Sequence, residues 1–182
     1  TSGSISRSGI CQMKFPQSCC GGTGYVLFAE NATLSARVCE CIKNCPVCQG
    51  QTRMVIDGTA RSCVEPSPRK IAGIMTNAQL PARYLNAGFD TFTNHSGNGK
   101  QVAARMQRWA QTFSPNASTG LLIGGSVGVG KTFLLVALAK ALAARGFSVC
   151  FADFFQLLSE LKAGYSDGKA DPHMMAPLMS CD

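Results

Sequence analysis

Eight consecutive residues of the sequence have the types and the spacing that bind the phosphates of a nucleotide. They fit the pattern G-x-x-x-x-G-K-[ST] without substitution. In order they are Gly125, Ser126, Val127, Gly128, Val129, Gly130, Lys131 and Thr132. Glycines let the backbone fold tightly around an anion and point successive N–H groups at it. We therefore predict a nucleotide-binding loop in which Lys131 reaches the β- and γ-phosphates and the Thr132 hydroxyl ligates Mg²⁺. These two side chains are the predicted catalytic residues.

The flanks of this loop have the order of elements that the pattern requires. Residues 120–124 are typical of a short buried strand, and residues 133–145 of a helix that ends at Gly146. A helix that begins near Lys131 adds the positive end of its dipole to the anion site. This context favours a phosphate site over the alternative, a glycine-rich turn that binds nothing.

The segments after the loop predict half of a doubly wound, mainly parallel sheet. Residues 147–152 form an apolar run that suits a strand covered on both faces, and Asp153 is placed to cap a helix over 154–163. A phosphate-loop ATPase also needs a later strand that ends in an acid associated with Mg²⁺. No apolar run ending in paired acids is present, so we expect the sequence to be part of a longer protein.

Two more helices are predicted ahead of the loop, over residues 71–80 and 100–113. Apolar residues at helical spacing should mark the core faces of the second of these helices and of the helix after the loop. These residues are Val102, Met106, Trp109 and Phe113, followed by Leu134, Leu135, Leu138 and Leu142.

Cysteines are concentrated near the start of the chain. Seven of the ten fall between Cys19 and Cys63. A nucleotide-binding loop is typical of intracellular proteins, in which thiols stay reduced, so metal binding is favoured over disulfides. The alternative is a set of buried cysteines without a metal.

Two similar halves in this region each read as a cysteine knuckle followed by a hairpin, which is how a zinc ribbon is built. The second half has a two-residue turn at Asp57 and Gly58. Spacing makes Cys45-x-x-Cys48 the surest pair of ligands. The predicted Zn²⁺ ligands are Cys20, Cys39, Cys41, Cys45, Cys48 and Cys63, with Cys19 competing with Cys20 and Cys11 in reserve. The spacing leaves open whether one ion or two are bound, and an all-cysteine set favours a structural role.

Composition excludes a disordered chain and a membrane-spanning one. Hydrophobic residues make up 46% of the 182 residues and charged residues 15%, which is enough to build a core. The longest apolar run is far too short to cross a bilayer, so we expect no membrane partner. A nucleotide-binding loop is typical of intracellular proteins, so we expect a cytoplasmic protein. The net charge of +7 is spread along the chain, which permits nucleic acid as a partner without requiring it.

Between about residues 80 and 165 the chain resembles the DnaC-type bacterial helicase loaders and the related IstB-type transposition helpers, which are AAA+ ATPases. The matching segments are LPARY at 80–84, FDTF at 89–92, GLLIGG at 120–125 with the loop to 132, ALAKALA at 137–143, GFSVC at 146–150 and FQLLSEL at 155–161. The cysteine module resembles the small N-terminal domain of such loaders, some of which bind zinc.

The resemblance implies ATP binding, ATP hydrolysis by the full-length protein, and assembly of identical subunits through the AAA+ domain. It also implies contact with a replicative DNA helicase and with single-stranded DNA. Residues 83–92 resemble the part of the family near the adenine, so aromatic contacts with the base are one expectation and packing against the sheet edge is the other.

The expected fold class is α/β, a truncated AAA+ phosphate-loop core preceded by a small β-rich zinc-ribbon domain. The expected domains are a disordered start (1–10), the cysteine module (11–65), a linker with a short helix (66–80) and the N-terminal part of the ATPase domain (81–182).

Three functions are compatible with these features. The first is a helicase-loading ATPase of DNA replication. The second is an IstB-like ATPase that assists a transposase. The third is a zinc-ribbon adaptor that binds nucleotide without hydrolysing it.

Overall fold

Two antiparallel β-hairpins precede a series of α-helices in the computed structural model, which describes residues 20–44, 48–51, 53–63, 66–93, 98–116, 120–166 and 176–181. The strands in these ranges are β1 (Tyr25–Glu30), β2 (Thr33–Val38), β3 (Arg53–Ile56) and β4 (Thr59–Ser62). The helices are α1 (Pro68–Asn77), α2 (Gly99–Thr112), α3 (Lys131–Ala144), α4 (Phe154–Ser166) and α5 (Ala176–Met179).

The two predicted hairpins of the cysteine region are confirmed. β1 pairs with β2 from Tyr25 opposite Val38 to the end of the strands, and β3 pairs with β4. Asp57 and Gly58 have φ values of 50° and 75°, which are the positive values that a two-residue hairpin turn requires.

Local signals place the helices close to their predicted positions. Pro68 occupies the first turn of α1, and the Ser67 hydroxyl accepts a hydrogen bond from the Lys70 amide at 3.2 Å. Helix α1 therefore begins three residues before its predicted start. Gly146, with φ of 90°, follows the end of α3 as predicted.

The first hydrophobic core joins the first hairpin to α1 and α3. Leu34 of β2, Met75 of α1, Leu80 and Val136 of α3 are each less than 2% exposed. The Leu34 amide also donates to the Leu80 carbonyl at 2.7 Å. The hairpin and the helix that follows the loop therefore share one core with α1, while the predicted domain boundary at residue 65 stays a prediction.

The second core lies between α2 and α3. Met106 packs with Leu134, Leu138 and Leu142, which confirms most of the predicted core faces. The predictions for Leu135 and Val102 were wrong, because these side chains are 40% and 37% exposed. Helix α3 is apolar on most of its circumference, so its periodicity could not tell which side Val136 or Leu135 would face.

The prediction of parallel strands on either side of α3 was wrong. Within the described part of the chain, the two sheets contain only β1 to β4, and residues 120–124 and 147–152 pair with neither. A strand exists only when its backbone groups meet a neighbouring strand. Leu122 is instead fully exposed, and the Phe151 amide donates to the carbonyl of Ala78, just after α1, at 2.8 Å. The described architecture mixes α-helices with antiparallel hairpins.

None of the helices among the described residues is both long and apolar enough to traverse a lipid bilayer.

Candidate functional site: the phosphate loop and a cysteine cluster

The predicted phosphate loop forms a bend that leads directly into α3. Gly125, Gly128 and Gly130 have φ values of 145°, 84° and 92°, and α3 begins at Lys131. Residues other than glycine rarely adopt such φ values, so the glycines at these positions of the motif permit the bend. The first amides of a helix have no partner inside the helix, so those of α3 are available to an anion at the bend.

The Lys131 side chain lies across the loop. Its ammonium donates hydrogen bonds to the carbonyls of Gly125 at 2.9 Å and Ser126 at 2.7 Å. Both ends of the motif are thus brought together around one charged group. Between them Val127 is 98% exposed, so the loop is open to solvent.

The remaining predicted loop residues lie along the same bend and at the start of α3. Gly128 is exposed, and Val129 is half-buried with a methyl that would lie 3.4 Å from a Cβ added to Gly125. Thr132 is half-buried in the first turn of α3, immediately after Lys131. A hydroxyl in this position lies on the same turn as the anion-binding amides, which is compatible with its predicted Mg²⁺ role.

Aromatic side chains from the segment before the loop pack against the start of α3. The Phe92 ring lies 5.7 Å from that of Phe133, and the Tyr84 ring meets Phe133 edge-on at 6.4 Å. A Cβ placed on Gly130 would come within 2.7 Å of Phe92 Cε2. These side chains therefore pack against the start of α3 and not against a sheet edge as expected, and contact with an adenine stays a prediction.

Lys140 is a residue at this site that the sequence reasoning missed. Its ammonium donates to the carbonyls of Leu85 at 3.0 Å and Ala87 at 2.6 Å. A signal was present, because Lys140 is the only charged residue of α3 besides Lys131. A cation inside an otherwise apolar helix needs buried acceptors, which the sequence could not identify.

Asp153 acts as a helix cap, as predicted. Its carboxylate accepts hydrogen bonds from the amides of Phe155 at 2.9 Å and Gln156 at 3.2 Å. These two bonds satisfy free donors at the start of α4.

Three of the predicted metal ligands lie together at the base of the first hairpin. The sulfur atoms of Cys20, Cys39 and Cys41 all lie within 4.8 Å of one another, and those of Cys20 and Cys41 are 3.5 Å apart. A disulfide requires about 2.05 Å, so this last distance is a contact between two thiols. The Gly24 amide donates to Cys20 Sγ at 3.2 Å, which is the amide–sulfur bond expected of a knuckle.

The environment of this cluster favours the thiolate form of Cys20. Burial raises the pKa of the Cys20 thiol, but hydrogen bonds from two amides and two neighbouring thiols outweigh it, and the pKa falls to about 7. The donors are Gly24, Cys41, Gly22 and Cys39. A thiolate is the form that ligates metals.

The other predicted ligands that the structure describes are not part of this cluster. Cys48 and Cys63 are buried, at 7% and 2% exposed, but the structure does not group either with the three clustered thiols. Cys45 lies outside the described residues, as do Cys11 and Cys19. Of the five predicted ligands that the structure describes, it thus brings three together.

The region of the chain that contains the loop matches a known protein family. The sequence profile of a family described as IstB-like ATP binding protein matches residues 59–182. A Mycobacterium tuberculosis protein with the provisional name ATP-binding protein Rv3427c in insertion sequence is 36% identical over 100 residues. This similarity covers 54% of the chain and 39% of the relative, so the chain spans about two fifths of the relative's length. No solved structure matches the chain.

Proposed function

Because the chain belongs to the IstB-like ATP-binding protein family, we propose that it is part of an ATPase that assists a transposase. ATP binding follows from the family. The observation that carries the proposal is the loop itself, in which the ammonium of Lys131 and the first turn of α3 converge on one open bend.

In this proposal the residues of the loop bind and orient the triphosphate. The α3 amides and the Lys131 ammonium supply fixed positive charge where negative charge develops during phosphoryl transfer. The Thr132 hydroxyl would hold Mg²⁺, which would supply further positive charge to the bound triphosphate. Substitution of Lys131 should therefore abolish both nucleotide binding and hydrolysis.

The experiment that tests hydrolysis uses the full-length protein, with and without DNA. Release of phosphate from ATP should be measurable for the wild type and absent for Lys131→Ala. ATP binding without any phosphate release by the full-length wild type would favour the third function, a nucleotide-binding adaptor.

Assistance to a transposase is supported by the relative from an insertion sequence. The proposal includes assembly of identical subunits and contact with single-stranded DNA, as in the resemblance to AAA+ proteins. An affinity experiment with the full-length protein and ATP should retain a transposase. Retention of the replicative helicase in place of the transposase would overturn this assignment.

A helicase loader is the second candidate, and one observation favours it. The cysteine cluster precedes the ATPase region, in the position of the small domain that such loaders use. In the same affinity experiment a loader would retain the replicative DNA helicase and ignore the transposase.

We further propose that Cys20, Cys39 and Cys41 hold a structural Zn²⁺. Four sulfurs around Zn²⁺ at about 2.3 Å lie about 3.8 Å apart, so the observed spacing fits the ion. The fourth ligand would come from the remaining predicted set, which includes Cys45, Cys48 and Cys63.

Metal analysis of the purified protein tests this site. The wild type should contain Zn²⁺, and Cys39→Ser should lose at least one ion per chain. Cys150→Ser is the matched control, since Cys150 lies after α3, outside the cysteine module, and should leave the metal content unchanged. Equal zinc in Cys39→Ser and the wild type would exclude the cluster as a site.

A further inference from the structure

Lys140 and Phe133 share one face of α3. They are seven residues apart, which corresponds to about two turns and about 10.5 Å along the helix. Facing them is the pre-loop segment, defined here as residues 84–92. The segment touches α3 at both places, so it lies along this face and reaches from the middle of the helix to its start.

The first attachment is cationic. The Lys140 ammonium donates to the carbonyls of Leu85 and Ala87 at 3.0 and 2.6 Å. Burial lowers the pKa of Lys140, while the nearby Asp90 carboxylate opposes this shift. A partly desolvated ammonium needs hydrogen-bond acceptors, so its bonds to the two carbonyls stabilise both the Lys140 side chain and the pre-loop segment.

The second attachment is aromatic and lies at the loop. The Phe92 ring covers Gly130 so closely that a Cβ at this position would be 2.7 Å from the ring. The same ring lies 5.7 Å from that of Phe133. Gly130 is the last loop residue before Lys131, and its φ of 92° sets the direction in which α3 begins.

Between these attachments the segment is held by its own hydrogen bonds. The Thr91 hydroxyl lies within hydrogen-bond distance of the carbonyls of Asn86 at 2.8 Å and Gly88 at 3.2 Å. The Ala87 amide donates to the Tyr84 carbonyl at 2.9 Å, and the Ala87 side chain is 2% exposed. These bonds connect the part of the segment at Lys140 with the part at Phe92.

We propose that Lys140 is a positioning residue for the nucleotide site, which fixes the pre-loop segment so that Phe92 holds Gly130 in place. This inference rests on the proposed nucleotide binding by the loop. A glycine-rich loop is costly to order because glycine has the most backbone freedom to lose. A ring seated on Gly130 removes part of that freedom before the nucleotide arrives, which increases affinity through preorganisation.

The test compares Lys140→Met with Arg145→Met in titrations with fluorescent ATP. Arg145 is a matched control, because its guanidinium also donates to two backbone carbonyls, those of Ala110 and Phe113, from the other end of α3. Both variants should melt at a lower temperature. Only Lys140→Met should weaken ATP binding, by about tenfold, which is the scale of hydrogen bonds to a charged group.

At an ionic strength of about 0.15 M, loss of the Lys140 charge alone cannot explain the expected loss of ATP affinity. Lys140 is nine residues from Lys131, about 13.5 Å along the helix, which exceeds the screening length of about 8 Å at 0.15 M ionic strength. Lys140→Arg, which keeps the charge and the donors, should restore affinity to within about twofold of wild type. Equal ATP affinity in Lys140→Met, Arg145→Met and the wild type would overturn the inference.

A second pair of variants probes the aromatic attachment. Phe92→Ala should weaken ATP binding, whereas Phe113→Ala, which removes a ring packed on Trp109 and Phe147, should lower only the melting temperature. Identical losses of affinity in the two variants would contradict a specific role for Phe92.

Hydrogen exchange separates this inference from the proposed function. Amides of residues 128–134 should exchange faster in Lys140→Met than in Arg145→Met, even without nucleotide. If the wild type binds no ATP, the proposed function fails and the exchange result alone decides whether Lys140 fixes the loop. Unchanged exchange in Lys140→Met would refute the mechanical link.

Discussion

Gly130 shows how a single residue combines the demands of the loop and of its surroundings. Its φ of 92° and the Phe92 ring both exclude a side chain. The motif predicts glycine here from the phosphate pattern alone. It does not predict the ring, since contact between residues so far apart in the chain leaves no local pattern. Lys131 was predictable because it belongs to a short motif. Lys140 belongs to no such motif and was not predicted.

Substitution of Gly130 by Ala should destabilise the protein by about 1 to 3 kcal/mol, because the new Cβ is strained by the backbone angle and meets Phe92. ATP affinity should fall as well. Gly73→Ala is the control, and its effect on stability should have the opposite sign. Gly73 lies inside α1, and a Cβ added there would meet nothing within 4 Å, so Ala should stabilise by about 0.5 to 1 kcal/mol. Urea unfolding measures both, and equal stability of the two variants would contradict the geometry at Gly130.

Helices were predictable at the scale of elements because their ends carry local signals. Ser67, Asp153 and Gly146 mark two starts and one end within a few residues of the sequence prediction. The strands predicted over 120–124 and 147–152 are not formed, since a strand depends on neighbours that an apolar run does not specify. The antiparallel hairpins succeeded because each strand's partner follows directly after a turn.

Asp153 provides a prediction at this scale, because a cap and an Mg²⁺-associated acid respond differently to substitution. Asp153→Ala should lose about 1 kcal/mol with the two amide bonds at the start of α4. Asp153→Asn should keep the stability, since Asn caps as well as Asp. Mg²⁺-dependent ATP binding should match the wild type in both variants. Loss of Mg²⁺ dependence in Asp153→Asn would show that the carboxylate serves the metal and not only the helix.

A shared core connects the cysteine cluster to the helix after the predicted phosphate loop. Cys39 directly follows β2, and Leu34 of the same strand lies in one core with Met75 and Val136. Val136 belongs to α3, the helix that begins at Lys131. The sequence predicted two modules and gave no sign of this shared core, because residues as distant in the chain as Leu34 and Val136 leave no common local pattern.

Removal of the proposed Zn²⁺ should therefore destabilise more than the hairpin. A metal that binds only the folded state contributes about 4 kcal/mol when its free concentration is about a thousand times the dissociation constant. A zinc chelator should lower the melting temperature of the wild type and weaken the protection of α3 amides in hydrogen exchange. In a variant with Cys20, Cys39 and Cys41 all changed to Ser the chelator should have no effect. A chelator effect of equal size in that variant would place the metal elsewhere.

The central claim, that the bend before α3 holds a triphosphate, is tested most directly by titrating the wild type, Lys131→Ala and Lys100→Ala with ATP and Mg²⁺. Lys100 is an exposed lysine in the first turn of α2, so its loss changes the net charge equally at another helix start. We predict saturable binding by the wild type and by Lys100→Ala, and none by Lys131→Ala at the same ATP concentrations. Unchanged ATP affinity in Lys131→Ala would contradict the account.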